Sequence, residues 1–588
     1  MENIINIFNV LDKKFRTNFY KLLIYVFITS FLQFFFLASI VLVISVLAEP
    51  SLIFENKYFS ILYQLGFKSE KQFLNTIIFF SLFLVILSSL SNLINNYLIS
   101  KFANLSTINL EKIFFNFYIN SDYYFFKKNS QNRLISKLKD NIIIFAQKLF
   151  PSIFVFFSAV STLLAIVIVL LYVDYKATIL IFISLALTYY FFFVSLKSKI
   201  NLLSQQNSII HLTKTQFIVN TFKNLKVLKF FSKKNFKNIH FQNSMQFGKN
   251  SIKLFVIETS PRVFMELVLY AGSLILIFYF YKLDNQYLDI SKIVFFGLAS
   301  SKALPSINQI FTSIVNLKSS IPYIESFKEE INIIKKQKRF IDKVDKNFIF
   351  ENKIELRNVS FNYQKEGSFN IEKLDLSIKK NNFIGICGKS GSGKTTIVDL
   401  LAGIYTPNDG SLLLDNNQVN QNNLSDYRSI VSYVPQEFYI GDSTVKESIL
   451  FGSTDFKQEN LNFALKFSGV NEFIENLPNQ LDTSISDRGI NLSLGQKQRI
   501  SIARALYKRP SILILDEATN SLDLINEKDI LNNLKNLKNE MTIIFISHKV
   551  SSLSVCDYIF LIKDGKISDE GSYDYLNKNS KYFQELVN

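Results

Sequence analysis

Eight residues, GKSGSGKT at Gly388–Thr395, follow the apolar run FIGIC and precede the helical pattern TIVDLLAGI. Glycines at this spacing let backbone N–H groups close on phosphate oxygens without Cβ clashes. Gly388, Lys389, Ser390, Gly391, Ser392 and Gly393 are therefore expected to cradle phosphates, with Thr396 in the helix behind them. Lys394 can reach the terminal phosphates, and the Thr395 hydroxyl can ligate Mg²⁺. A second apolar run, SILILDEAT, ends in Asp516 and Glu517. A parallel strand would deliver both acids beside the loop, Asp516 holding Mg²⁺ through water and Glu517 polarising a water as general base. Two acids after a strand could equally begin a helix; the loop at Gly388–Thr395 favours the catalytic reading.

These residues need a sheet to position them. From Ile354 the strand-like IELRNVSFNY and FIGICG alternate with glycine-flanked helical stretches, which predicts an α/β domain over 351–588. The preceding 321–350 is charged and reads as a helical connector. The first 320 residues differ in kind. Six segments, near 22–48, 75–98, 151–173, 177–195, 262–282 and 291–315, satisfy or approach the roughly 20 apolar residues that cross a bilayer. Only Asp174, Tyr175 and Lys176 separate the third from the fourth, so that pair is expected to be a tight helical hairpin.

Composition agrees with this division. A chain of 588 residues exceeds what one core usually organises, and 48% hydrophobic against 19% charged residues favours a membrane class. Eight Lys or Arg lie in 99–149 and eleven in 196–260, whereas the alternate loops hold only Lys57, Lys68 and Lys71, then Lys176, then Lys282. Basic residues accumulate on the cytoplasmic side, which puts both termini there and the chain in the cytoplasmic (inner) membrane. The net charge of +17 has no basic excess from Ile354 onward, so a nucleic-acid partner is set aside. The first span is too long for a signal-peptide core and is read as retained. Cys387 and Cys556 support neither a disulfide framework nor a zinc site and read as small buried hydrophobes. The two basic stretches suggest helices continuing beyond the bilayer, turning at Ser121–Phe126 and Gln216–Lys226.

With these elements in place, the stretch from Ile354 to Asn588 resembles the nucleotide-binding domain of ATP-binding cassette proteins. NLSLGQKQR at 491–499 is similar to the family's signature, VPQEF with Gln436 to its Q-loop, Ser521–Asp523 to its D-loop and His548 in ISHK to its switch histidine. Tyr363 in VSFNY matches the aromatic that stacks on adenine. The resemblance implies ATP and Mg²⁺ as cofactors, with Gln436 near Mg²⁺ or water and His548 on the γ-phosphate. It also implies that Ser493, Gly495 and Gln496 serve a partner's nucleotide, so the chain pairs with a second half-transporter, a homodimer by default or else a heterodimer. Position 494 is Leu where the family has Gly; the remaining motifs predict a competent ATPase.

Six spans ahead of one cassette resemble the exporter half-transporters. The implied fold class is a membrane protein with a six-helix ABC exporter domain at 1–320 followed by an α/β P-loop ABC ATPase domain. The two cytoplasmic turns would then be coupling helices. ETSPRVFMELVLY, SSKALPSINQI and SLIFENKYFSILYQLGF further resemble the bacterial flippases of polyprenyl-pyrophosphate-linked oligosaccharides. That likeness implies a cavity where Arg262 and Lys302 attract an anionic glycolipid, and an external helix at Tyr58–Leu65. Ionisable groups within spans, here Arg262, Glu266 and Lys302, are costly unless they face a cavity or partner. Arg262 could equally snorkel to the interface. The rival readings are a multidrug, peptide or other lipid exporter and a non-pumping regulatory protein.

Overall fold

A computed structural model describes residues 2–587 apart from 49, 51, 56, 65–66, 68, 284–289, 338–347, 364–369, 438, 454 and 486–491. The chain divides into two compact units, Met1–Ser121 with Phe125–Ile341, and Asp122–Tyr124 with Asp342–Asn588.

The first unit is built on long helices: α1 (Lys13–Ala48), α2 (Glu70–Ile119), α3 (Ile142–Val173), α4 (Tyr175–Lys223), α5 (Lys233–Leu283) and α6 (Ile290–Glu325). Helix α2 shows why a single apolar face does not describe them. In its first half Ser81, Ser88, Ser91 and Asn95 are buried, while Phe79, Phe80, Phe83 and Ile86 are exposed. Small and polar side chains face the neighbouring helices and large apolar ones face outward, the pattern of a helix packed in lipid. Helices α2 and α4 and the continuous helix Gln131–Val173 are each long and apolar enough to cross a membrane.

Asp174 makes the short connection between α3 and α4. Its extended backbone ends one helix, and its carboxylate accepts from Ala177 N at 3.0 Å to cap the next. Between α2 and α3 the chain turns at Asn120 and forms the short helix Tyr123–Lys128. The turn after α4 begins at Asn224, inside the expected Gln216–Lys226, and extends beyond it. No glycine or proline interrupts the helix, which runs to Lys223 and stops at Asn224, followed by Leu225–Leu228. Near the first connection lies a short helix, Lys57–Gln64; Leu65, the last residue of the expected external helix, lies outside the described residues.

Helix α6 is followed by the helix Lys328–Gln337, which buries one acid. Glu330 pairs with Lys137, their side chains 1% and 3% exposed, and the Tyr118 hydroxyl donates to the same Glu330 oxygen at 3.4 Å. Lys137 lies in a π-helical turn, Lys137–Asn141, just ahead of α3.

The second unit has strands β1 (Lys353–Asn362), β2 (Asn370–Lys379), β3 (Phe383–Cys387), β4 (Asp409–Leu414), β5 (Asn417–Gln418), β6 (Val431–Val434), β7 (Ser443–Thr444), β8 (Ser484–Ile485), β9 (Ile512–Asp516), β10 (Thr542–Ile546), β11 (Tyr558–Lys563) and β12 (Lys566–Gly571). Its six-stranded sheet has the order β12-β11-β3-β10-β9-β6, and β11, β3, β10, β9 and β6 run parallel. Every residue of β3, β9 and β10 is buried, as expected of parallel strands covered on both faces. A four-stranded sheet, β2-β1-β4-β5, is antiparallel throughout. Cys387 ends β3 and Cys556 precedes β11; both thiols are free and buried, and burial pushes Cys387 up to about 12.

Candidate functional site

The chemistry gathers at the C-terminal ends of the parallel strands, where open α/β sheets place their ligands. The loop Gly388–Gly393 leaves β3 and enters α7 (Lys394–Leu401). Gly388 has φ 153°, and a Cβ there would stand 2.2 Å from the Ile562 carbonyl oxygen, so only glycine fits. Gly393, at φ 102°, sets the left-handed turn into α7. The Ser392 carbonyl accepts from Gly565 N at 2.9 Å, and Lys389 N donates to the Tyr582 hydroxyl at 3.2 Å. These bonds hold the loop in shape while Lys389, Ser390, Gly391 and Thr395 remain exposed on its rim. Lys394 Nζ is folded onto the loop, donating to the carbonyls of Gly388 (2.8 Å) and Lys389 (3.0 Å). Burial lowers its pKa, against the opposing pull of Glu517.

Asp516 closes β9 and is 2% exposed. One carboxylate oxygen, Oδ2, accepts from the Tyr433 hydroxyl at 3.1 Å; the other, Oδ1, is buried with no partner. Burial raises its pKa, with the Tyr433 bond opposing. An orphaned carboxylate oxygen fits Mg²⁺, which takes oxygen ligands and keeps several waters. Thr395, Asp516 and Gln436 would hold it. When bound, the ion would neutralise charge on the phosphates.

Glu517 lies one residue further, at φ 53°, a left-handed backbone that non-glycine residues adopt at a cost of about 1–3 kcal/mol. Such strain turns its side chain away from the buried strand and into a ring of donors. Gln436 Nε2 donates to Oε2 at 2.7 Å, Asn520 Nδ2 donates to the same oxygen at 2.8 Å, and His548 Nε2 lies 2.5 Å from Oε1. Three residues far apart in sequence thus meet on one carboxylate: Gln436 after β6, Glu517 after β9 and His548 after β10.

Tyr363 stands edge-on to Phe361 (5.1 Å, 85°) and to Tyr405 (5.6 Å, 82°), and its hydroxyl bonds Thr396 Oγ1 at 2.8 Å. The tie joins an aromatic wall to the helix of the phosphate loop. Ser493 caps α8 (Leu494–Tyr507): its hydroxyl accepts from Gln496 N at 3.2 Å, while Gln496 Oε1 accepts from Ser493 N at 2.9 Å. Gly495 is packed so that a Cβ would lie 3.1 Å from Leu522 Cδ2, whereas the Leu494 residue is 60% exposed. Each of the two side chains thus accepts from the other residue's backbone N–H.

Three contributors carried no motif of their own. Tyr433 holds Asp516, Asn520 holds Glu517, and Gln498 joins the Glu517 carbonyl (3.2 Å) to Ser521 N (3.1 Å). Asn520 and Gln498 sit within the family-like stretches DEATNSLD and NLSLGQKQR, which was the available signal; Tyr433 had none.

In the first unit Lys302 lines a cavity of about 320 Å³ and its Nζ lies 5.6 Å over the Phe36 ring. Arg262 is not among the residues lining that cavity. Its side chain is 63% exposed and donates to Glu266, one turn on, at 2.9 Å.

Residues 371–520 match the ABC transporter family and residues 39–301 the ABC transporter transmembrane region. A putative export ATP-binding/permease protein of Rickettsia typhi is 39% identical over 234 residues, 40% of this chain and 41% of that protein. The match with such relatives thus spans about two fifths of their length. An ATP-dependent lipid A-core flippase of Haemophilus influenzae is 27% identical over 570 residues, 93% of each chain. In fold, the chain is similar to a bacterial Atm1-family ABC exporter with ATP bound (TM-score 0.77, 20% identity, 98% of each chain covered). With a transmembrane region ahead of a single ATPase domain, the chain belongs to the ATP-binding cassette transporters as an exporter-type half-transporter.

Proposed function

We propose that the chain hydrolyses ATP in a pair of cassettes, by default those of a homodimer, and uses the energy to move an anionic lipid-linked substrate across the cytoplasmic membrane. The single observation that carries the ATPase reading is the convergence of Gln436, Asn520 and His548 on the Glu517 carboxylate, beside an Asp516 oxygen free to take a cation. Glu517 is the general base for an attacking water. His548 orients it and contacts the γ-phosphate, and the exposed end of α8, with Ser493, Gly495 and Gln496, faces the nucleotide of the second cassette. Tyr363 stacks on adenine. Closure of the cassettes drives the long helices between inward- and outward-facing forms.

The cargo reading rests on Lys302, a cation lining a cavity that has no carboxylate among its described lining residues. A polyprenyl-pyrophosphate oligosaccharide or a similar glycolipid suits it, and the name of the Haemophilus relative favours a glycolipid. Reconstituted flipping of candidate lipids tests this, comparing the parent with Lys302→Ala and Arg262→Ala. Loss with Lys302→Ala is expected. The Arg262→Ala change is expected to cost less, because Glu266 already pairs with that side chain. Equal transport by all three proteins would remove the anionic-cargo reading.

A further inference from the structure

The cavity that holds Lys302 has a second property that an anion site alone does not need. One wall is the face of α2 bearing Asn92, Asn95 and Asn96, spaced so that all three share one side of the helix. The facing wall is α6, with Lys302, Ser306 and Gln309 at successive turns. All six lie within helices α2 and α6, in or near the segments read from the sequence as membrane spans. Carboxamides are expensive in a membrane-spanning helix unless they bond a neighbour or face a polar cavity.

Asn95 makes the cost visible. The residue is 5% exposed; its Nδ2 donates to Thr29 Oγ1 at 2.6 Å, yet its Oδ1 is buried without a hydrogen-bond partner. Packing alone would not call for an unsatisfied acceptor here, whereas a ligand that brings a hydroxyl or N–H would satisfy it. A simple anion would use Lys302 and the carboxamide N–H groups but would bring no donor to the carboxamide oxygens. An apolar ligand would use none of these groups. Carboxamides both donate and accept, which suits rings that carry hydroxyl and acetamido groups in several orientations.

We propose that this cavity selects the head group of the cargo: Lys302 takes a phosphate oxygen, while Asn92, Asn95, Asn96 and Gln309 hydrogen-bond the adjoining sugar. The inference rests on the anionic-lipid reading above and adds the residues that would recognise the sugar of such a lipid.

The test measures ATP turnover of the full-length protein in vesicles holding either lipid A-core, anionic and sugar-bearing, or undecaprenyl pyrophosphate, anionic and sugar-free. The readout is the ratio of the two stimulated rates, which loss of folded protein leaves unchanged. The parent is expected to favour the sugar-bearing lipid by about tenfold, as several hydrogen bonds would allow. Asn95→Leu and, as an independent variant away from the Thr29 contact, Gln309→Leu should each bring the ratio close to unity. Lys302→Gln should lower stimulation by both lipids. Stimulation by both lipids at a ratio that neither Leu variant changes would overturn the sugar site and leave the anionic cargo standing. Stimulation by neither lipid would overturn the lipid reading and the sugar site together.

Discussion

Two clusters of buried charge, one in each unit, use similar groups to different ends. In the first, Glu330 meets Lys137 and Tyr118 among ordinary helices and a π-helical turn, and both members of the ion pair are almost fully buried. In the second, Glu517 meets Gln436, Asn520 and His548 from a left-handed backbone, and the His548 side chain is 42% exposed. The first cluster joins the helix Lys328–Gln337 to the helical bundle with groups that have no other task. The second occupies its acid with donors that can each turn to water, a phosphate or a cation. Burial and ion pairing therefore do not identify a reactive site. Strained backbone and partial access do, whereas an unpaired buried carboxylate oxygen occurs in both places, at Glu330 Oε2 and at Asp516 Oδ1.

Replacing the acid in each cluster should separate the two roles. Glu517→Gln keeps the shape and one acceptor but removes the base, so ATP turnover measured by phosphate release should fall about 100-fold or more. Its thermal unfolding should stay near that of the parent. Glu330→Ala should do the reverse, stranding a buried lysine at a cost of about 3–5 kcal/mol in stability, with turnover per folded molecule retained. The double change Lys137→Met with Glu330→Leu should recover most of that loss in chemical denaturation, since an apolar pair can replace a buried ion pair. A large loss of turnover in the double variant, with stability restored, would erase the distinction between the clusters.

A smaller effect concerns Asp516. Its folded pKa lies above the ordinary value because of burial. A carboxyl raised in this way favours folding below its unfolded pKa and loses that contribution as pH rises through the folded pKa. Above its folded pKa the nucleotide-free protein therefore bears the full cost of the buried charge. Asp516→Asn should stabilise that form in thermal unfolding above the folded pKa of Asp516, and the gain should shrink on acidification. The same variant should lose stabilisation by Mg²⁺ with ATP. The smallest change is expected at Leu494, whose exposed side chain stands at the start of α8. Leu494→Gly should raise turnover by about threefold, a barrier change under 1 kcal/mol; unchanged turnover would show that the departure from the signature is silent.

Legibility in the sequence followed the same division. Gly388–Thr395, Asp516 and Glu517 stood out because phosphate and Mg²⁺ chemistry demands particular residue types at fixed offsets from strands, while Gln436 and His548 were legible only through the resemblance to ATP-binding cassette proteins. Tyr433 escaped because a tyrosine on a buried strand looks like any other core residue until Asp516 is seen beside it. The helical character of the first unit was plain from apolar length. The end of α4 was legible only as the window Gln216–Lys226, because Asn224 stops that helix without a glycine or proline. Asn92, Asn95 and Asn96 were readable as carboxamides on one face of an apolar helix, but no motif linked them to Gln309 more than 200 positions later.

The burial of Cys387 and Cys556 has a practical consequence. A thiol buried and held in its protonated form reacts slowly with maleimides and methanethiosulfonates. The native chain is thus a quiet background for site-directed labelling. A single cysteine introduced at an exposed position such as Phe230 or Tyr172 can carry a spin label or fluorophore without first removing the natural pair, and distances between such probes can follow the cycle in an otherwise unaltered protein.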